Sequence, residues 1–349
     1  MSEEKIKEIK NKNKTSKKKK RLRLTILLIV ILAVVLAGGI FSLHALRSTS
    51  NLTLVMPYAQ ADISYQKTST MSLDIAAGFS SNLCVGSDNQ SLDDVSLEGS
   101  ECGALFSLND KNILFSKNMY QKIYPASITK LMTALLAFKY GNLDDTITIT
   151  TEDITLEDGS QKLGLQAGDQ VVLRDLLEAM LVYSGNDAAQ AIARHVSGSV
   201  QDFVDLMNTE ATSLGAVNTH FVNPTGLHDD DHYTSVYDIY LMLNAISKYQ
   251  EFYNMAHNAY YVLSYTGADG TEISKRFDST DYYLTGNHAV PQNVSVLGGK
   301  TGTTSKAGSC LALISQNAYG EVYISIIVKA QNKEYLYQDM DELLSQINM

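Results

Sequence analysis

The chain has 349 residues, 45% of them hydrophobic and 19% charged, enough apolar material to bury a core, which rules out global disorder. Three cysteines are too few for a disulfide-stapled scaffold. The net charge of −10 conceals a division: residues 1–23 hold eleven Lys or Arg against three Glu, leaving 17 basic against 35 acidic residues, a balance that argues against nucleic acid as a partner.

In chain order, the basic tail 1–23 is followed by Leu24 to Leu46, which contains no Asp, Glu, Lys or Arg. At about 1.5 Å per residue this run crosses a hydrocarbon core of about 30 Å, so a transmembrane helix is predicted at 24–46. Lys17 to Arg21 and Arg23 lie directly before it, and such charge stays cytoplasmic, which puts everything after Arg47 outside the cell membrane. A cleaved secretory signal is the alternative; its apolar region would be shorter, roughly 7–15 residues, and it would export the same body. Residues 47–100, rich in Ser, Asn, Asp and Thr, read as an extracytoplasmic linker, in which Cys84 is either paired with Cys102 or a free thiol.

The body is assigned to 101–349. Residues 103–108 and 113–116 read as two strands around a polar turn. Ile128, Leu131, Met132, Leu135 and Leu136 recur at helical spacing, so a buried helix is predicted from Ser127 to Tyr140, between Pro125 and Gly141. Further helices are predicted at 173–182, 187–196 (capped by Asp187), 199–213 and 235–247. Strands follow at about 258–265, 294–300, 308–316 and 321–330, and a closing helix at 334–347. Strands at both ends with helices between them give an α+β fold, in which an antiparallel sheet flanked by helices carries an inserted helical lobe, with a cleft where lobe meets sheet.

Three short segments carry chemistry. Ser127-Ile-Thr-Lys130 puts a hydroxyl and an amine one turn apart on one helix face, a nucleophile and a base if the lysine is kept neutral. Tyr183-Ser184-Gly185-Asn186 sets a hydroxyl and a carboxamide around a glycine at a turn between helices. Gly299-Lys300-Thr301-Gly302-Thr303 ends a strand with a cation, two hydroxyls and a missing side chain, suited to a carboxylate and a close substrate backbone. Alone, each is as consistent with an ordinary helix cap, turn or strand end. Their order and separation are more specific, with Ser184 57 residues after Ser127 and Lys300 114 residues after Asn186.

With the surrounding text, the set resembles the D-alanyl-D-alanine carboxypeptidase family, the low-molecular-weight penicillin-binding proteins. The similar segments are 125–133, 183–189, 219–227 with 232–235, and 299–304, and the likeness runs from about Gly103 to the C-terminus. It implies a β-lactamase/transpeptidase-like fold, Ser127 as acylated nucleophile, Lys130 as its base with Lys300 helping to hold it neutral, and Ser184 as proton relay. Asn186 would hold the substrate amide, Lys300, Thr301, Gly302 and Thr303 would form the substrate-binding strand, and the N–H groups of Ser127 and Thr303 would bind the oxyanion. The implied reaction removes the terminal D-alanine of peptidoglycan stem pentapeptides, β-lactams are the implied covalent inhibitors, and no metal or cofactor is implied.

Many members carry a second β-rich domain and a C-terminal anchor; here the chain stops about fifty residues after Lys300, and the anchor is expected at the N-terminus. A class A β-lactamase would need a deacylating glutamate some tens of residues after Ser-x-Asn, and no Glu occurs between Glu210 and Glu251. A D,D-endopeptidase acting on cross-links, or a slow-turnover β-lactam sensor, would use the same motifs. His228-Asp-Asp-Asp-His232 has metal-ligand spacing, but a solvated acidic loop with His232 hydrogen-bonded inside it explains the same residues. Cys310 reads as a buried strand thiol. Tyr260, Tyr261, Tyr282 and Tyr283 are candidates for a groove lining or for the core and its rim.

Overall fold

The computed structural model describes residues 82–157 and 159–348. The basic tail 1–23, the predicted span 24–46 and the linker up to residue 81 lie outside the described residues. Among the described residues no helix is long and apolar enough to cross a membrane.

The chain enters through a hairpin, β1 (Ser100–Ser107) and β2 (Asn112–Lys117), whose turn is closed by the left-handed Lys111. α1 (Lys130–Tyr140) follows, then β3 (Thr146–Thr148), the single turn α2 (Thr151–Ile154) and β4 (Gln170–Val172). A run of helices comes next: α3 (Leu173–Tyr183), α4 (Asn186–Ser197), α5 (Val200–Leu214), α6 (Val236–Ile246) and α7 (Gln250–Ala256). β5 (Tyr260–Thr266), β6 (Glu272–Asp278) and the short α8 (Tyr282–Thr285) lead to three long strands, β7 (Val294–Thr304), β8 (Gly308–Asn317) and β9 (Val322–Ala330), and α9 (Lys333–Ser345) closes the fold.

The main sheet is antiparallel with order β2-β1-β9-β8-β7, so strands from the two ends of the body are neighbours, Ala104 opposite Ile326 and Phe106 opposite Ile324. Its central strands bury both faces, and their side chains alternate between two cores. Ala312, Ile314, Ile324, Ile326 and Val328 face the helical lobe. Leu311, Leu313, Tyr323 and Ile327 face α9, which answers with Leu336, Met340, Leu343 and Leu344. α1 is buried from Lys130 to Ala137, with α3, α4, α5 and α6 packed around it. The α+β architecture and the inserted lobe are as the sequence leads one to expect.

Two features differ from the sequence reading. A second antiparallel sheet, β3-β4-β5-β6, was visible only in its β5 strand. β3 and β4 have three residues each, too few to show a period, and β6 carries Lys275 and Arg276 in the middle of its run. The stretch 82–99, read as the end of a linker, is packed on the body: Cys84 and Leu97 are buried, and the Ser96 and Leu97 N–H groups donate to Glu342 on α9. Cys84, Cys102 and Cys310 are free, buried thiols.

Candidate active site

Pro125 leads into a 3-10 turn over Ala126–Thr129 that runs into α1 at Lys130. The sequence reading begins the α-helix at Ser127; instead Ala126 takes a φ of 47° and the chain winds more tightly before the α-helix starts. In 3-10 geometry side chains at i and i+3 eclipse, and Lys130 Nζ lies 3.0 Å from Ser127 Oγ. The other two partners of the amine are Asn186 Oδ1 and the Thr225 carbonyl, each at 2.7 Å. Lys130 is 0% exposed. Burial, reinforced by the neighbouring Lys300 charge, holds its amine well below the ordinary lysine range, with Asp187 pulling the other way.

α3 ends where Ser184 turns left-handed, at φ 74°. Its hydroxyl is buried and has no hydrogen-bond partner among the described residues, although the residue lines the cleft. The sequence makes Asp187 the cap of the next helix. In the structure Gly185 is the N-cap, and the Asp187 carboxylate accepts from the N–H groups of Leu163, Gly164 and Leu165 as well as Ala188. Asn186 N–H donates to the Gln161 carbonyl and the Gln161 amide donates to the Tyr183 carbonyl. These bonds bring Glu157, Ser160 and Gln161 into the cleft wall.

Opposite them, β7 is the free edge of the main sheet. A Cβ on Gly302 would lie 3.0 Å from Ser127 N and 3.1 Å from the Pro125 carbonyl oxygen, so the missing side chain is what lets the strand touch the 3-10 turn. Thr301 and Thr303 line the cleft on either side of it, and Thr301 Oγ1 is hydrogen-bonded to Thr280 Oγ1. Lys300, read from sequence as a substrate-side cation, lies behind this surface at 2% exposure, with its amine donating to the Thr301 carbonyl. Burial pulls it down to about 7 against the raising charge of Asp281, and burial raises Asp281 itself to about 6.

The fourth wall is the loop after α5. Asn223 Oδ1 accepts from the Thr225 N–H, the Thr225 hydroxyl and the Gly226 N–H, which fixes the carbonyl that Lys130 uses. Gly226 has φ +83°, and a Cβ there would sit 1.8 Å from the Ala126 carbonyl oxygen. Gly226→Ala should lower stability by about 2–4 kcal/mol, from a left-handed non-glycine plus a forced backbone shift. It should slow penicillin acylation as well, because the displaced residue is next to Ser127. Denaturant melts and labelling rates test both, and wild-type values for the two would show that the loop gives way freely.

His232 is buried inside the same loop. Its Nδ1 accepts from the Val222 N–H, so Nε2 carries the proton and donates to Thr129 Oγ1, whose own hydroxyl donates to the Ala126 carbonyl. Burial pulls its pKa from 6.5 to about 4. The unfolded chain binds this proton first, so stability from His232 is full above pH 6.5 and is lost as pH falls to about 4, a loss of about 3 kcal/mol. His232→Gln, which keeps a donor and an acceptor, should lose this acid limb in urea melts taken across that range; an unchanged limb would assign it to other groups. His228, by contrast, is near the surface against Asp230 and the edge of Tyr124.

Ser127, Ser184, Asn186, Thr301, Gly302 and Thr303 thus share one cleft of about 490 Å³, with Lys130 and Lys300 buried behind it. The sequence reading missed Glu157, Ser160, Gln161 and Thr280, and also Lys333, Leu336 and Tyr337 from α9. Cys310 is buried as expected, its thiol pushed up to about 12 by desolvation. None of Tyr260, Tyr261, Tyr282 and Tyr283 lines the cleft; Tyr283 is core, Tyr261 donates to Asp175 and Tyr282 stacks on Tyr337.

Solved structures set the fold first. The DD-transpeptidase of Streptomyces K15 shares the fold with a TM-score of 0.66 at 24% identity, over 71% of this chain and 96% of that one. DacD from Francisella tularensis, a D-alanyl-D-alanine carboxypeptidase, gives a TM-score of 0.63 at 24% identity over 76% and 72%. The family follows from the sequence, because residues 100–332 match the model for D-alanyl-D-alanine carboxypeptidase, peptidase family S11, and the chain belongs to that family. Its relatives include DacF of Bacillus subtilis, 32% identical over 57% of this chain and 49% of that protein, and DacA of Haemophilus influenzae, 30% identical over 64% and 55%. The chain spans about half the length of these curated relatives.

Proposed function

We propose that this chain is a serine-type D-alanyl-D-alanine carboxypeptidase that removes the terminal D-alanine from peptidoglycan stem pentapeptides, anchored by a single span at 24–46 with its catalytic domain on the outer side of the cell membrane. The observation that carries the reading is the environment of Lys130. A neutral amine has two N–H groups and one lone pair; Asn186 Oδ1 and the Thr225 carbonyl take the two N–H groups, and the remaining direction meets Ser127 Oγ at 3.0 Å. Burial favours that neutral form.

In this mechanism Lys130 takes the Ser127 proton as Oγ attacks the carbonyl carbon of the penultimate D-alanine. The oxyanion is held by the N–H groups of Ser127 and Thr303, an interaction whose loss typically raises a barrier by about 2.7–4 kcal/mol. Ser184, with its unpartnered hydroxyl, passes the proton to the leaving nitrogen, and D-alanine departs with the broken C–N bond. Water then attacks the ester, Lys130 takes its proton, and Oγ leaves reprotonated. Asn186 holds the substrate amide, Thr301 and Thr303 take the terminal carboxylate, and Lys300 contributes its field from behind the strand. β-Lactams would stop at the acyl-enzyme.

The test is the mass spectrum of a stem pentapeptide after incubation with the protein. Loss of one alanine supports the reading; an untouched peptide beside a stable penicillin adduct favours the sensor or the cross-link endopeptidase. Protease added to intact cells should remove the body and spare the basic tail, and full protection would reverse the topology.

A further inference from the structure

A second cavity of about 260 Å³ lies beyond the end of the cleft, lined by Lys122, Ile123, Tyr124, Asp230, Lys306 and Lys329. Both of its walls continue from the cleft. Lys122 to Tyr124 run directly into Pro125 and the 3-10 turn that carries Ser127, and Lys306 is in the β7–β8 turn, two residues past the cleft-lining Thr304. Its charge is opposite to that of the body as a whole. Lys329 is paired with Glu101, and Lys122 stands over the Tyr233 ring at 3.2 Å. Lys306 is exposed and has no ion pair or hydrogen bond among the described residues. Asp230, which accepts from the Tyr124 hydroxyl, is the one carboxylate in the lining, so two unneutralised ammonium groups face one anion.

A substrate whose terminal carboxylate meets Thr301 and whose reacting carbonyl meets Ser127 and Thr303 lies antiparallel to the free edge of β7. Its upstream residues then run past Thr304 toward Lys306, roughly 7–10 Å from the reacting carbonyl at about 3.3 Å per residue. We propose that the Lys122–Lys306 cavity is a subsite for a free carboxylate that the substrate carries about two residues upstream of the residue that acylates Ser127. The inference rests on the reading of Ser127 as the acylated residue. The pairing is solvent-exposed, which sets its size at roughly fivefold in affinity and makes it sensitive to salt.

Two measurements on the full chain keep this apart from the activity itself. Release of D-alanine from a doubly N-acetylated L-lysyl-D-alanyl-D-alanine by the wild type tests the carboxypeptidase reading alone. Calorimetric binding to the Ser127→Ala protein, which needs no turnover, tests the subsite. The ligands are N-acetyl-γ-D-glutamyl-(Nε-acetyl)-L-lysyl-D-alanyl-D-alanine with a free α-carboxylate and the same peptide as its α-carboxamide. The carboxylate form should bind roughly fivefold tighter, and the difference should shrink in about 0.5 M salt. It should vanish when Lys122→Gln and Lys306→Gln are added. Equal or undetectable binding of the two peptides, or a preference that survives the double substitution, would overturn the subsite.

Discussion

The Ser127→Ala protein should take up no fluorescent penicillin and should cleave a stem pentapeptide roughly 10⁶-fold more slowly, the scale of losing a hydrolase nucleophile. It should nevertheless fold. Ser127 is half-buried at the mouth of the cleft, and among the described residues the one hydrogen bond its hydroxyl makes is with Lys130, which keeps Asn186 Oδ1 and the Thr225 carbonyl after the change. Deleting one hydroxyl at that position costs about 1 kcal/mol or less. Intact-protein mass spectra with benzylpenicillin, beside a thermal melt, read both halves of the expectation. An adduct that persists on the folded variant would move the nucleophile elsewhere.

Lys130→Met should slow acylation by roughly 10²–10⁴-fold, the range of a general base, while the cleft's shape is kept by a side chain of similar length. The pH dependence separates a base from a structural cation. The amine works only when neutral, and burial with the Lys300 charge depresses its pKa, so wild-type acylation should decline as acid protonates Lys130. In Lys130→Met that decline should disappear along with the rate. Lys130→Arg is the sharper control, because a guanidinium donates to the same acceptors and cannot lose its proton in this range. Stopped-flow labelling across the pH range measures all three, and an arginine variant within a few fold of wild type would remove Lys130 from proton transfer.

The eight residues singled out in the sequence were legible because their chemistry is written in residue identity and order, which need no coordinates. What escaped was whatever depends on partners far away in the chain. Asp187 obeys the local rule for a helix cap, yet its carboxylate is taken by three N–H groups from 163–165, more than twenty residues upstream. Nothing local marks the stretch just before that segment, from Glu157 to Gln161, as a wall of the site. Lys300 was legible as a cation but not as a buried one, since its position behind Thr301 follows from the pairing of β7 with β8. The 3-10 turn at Ser127 escaped because apolar spacing is nearly the same for both helix types over one turn, and the left-handed Ala126 is imposed by packing rather than by its side chain. Tyr337 and Leu336 reach the cleft only because the last helix folds back over the sheet.

The position of β1 between β2 and β9 has a consequence for how the molecule comes into being. The strand made first must wait for the strand made last, so the contact order of the main sheet is high and its closure slow. At a synthesis rate of about 5–20 residues per second, the stretch between Ser107 and Val322 takes on the order of ten to forty seconds to appear. Ser127 and Lys130 are made early in that interval, but β7, β8 and β9, which complete the sheet beside them, appear only at its end. The cleft around Ser127 is therefore completed late in folding, once β7 to β9 have been made.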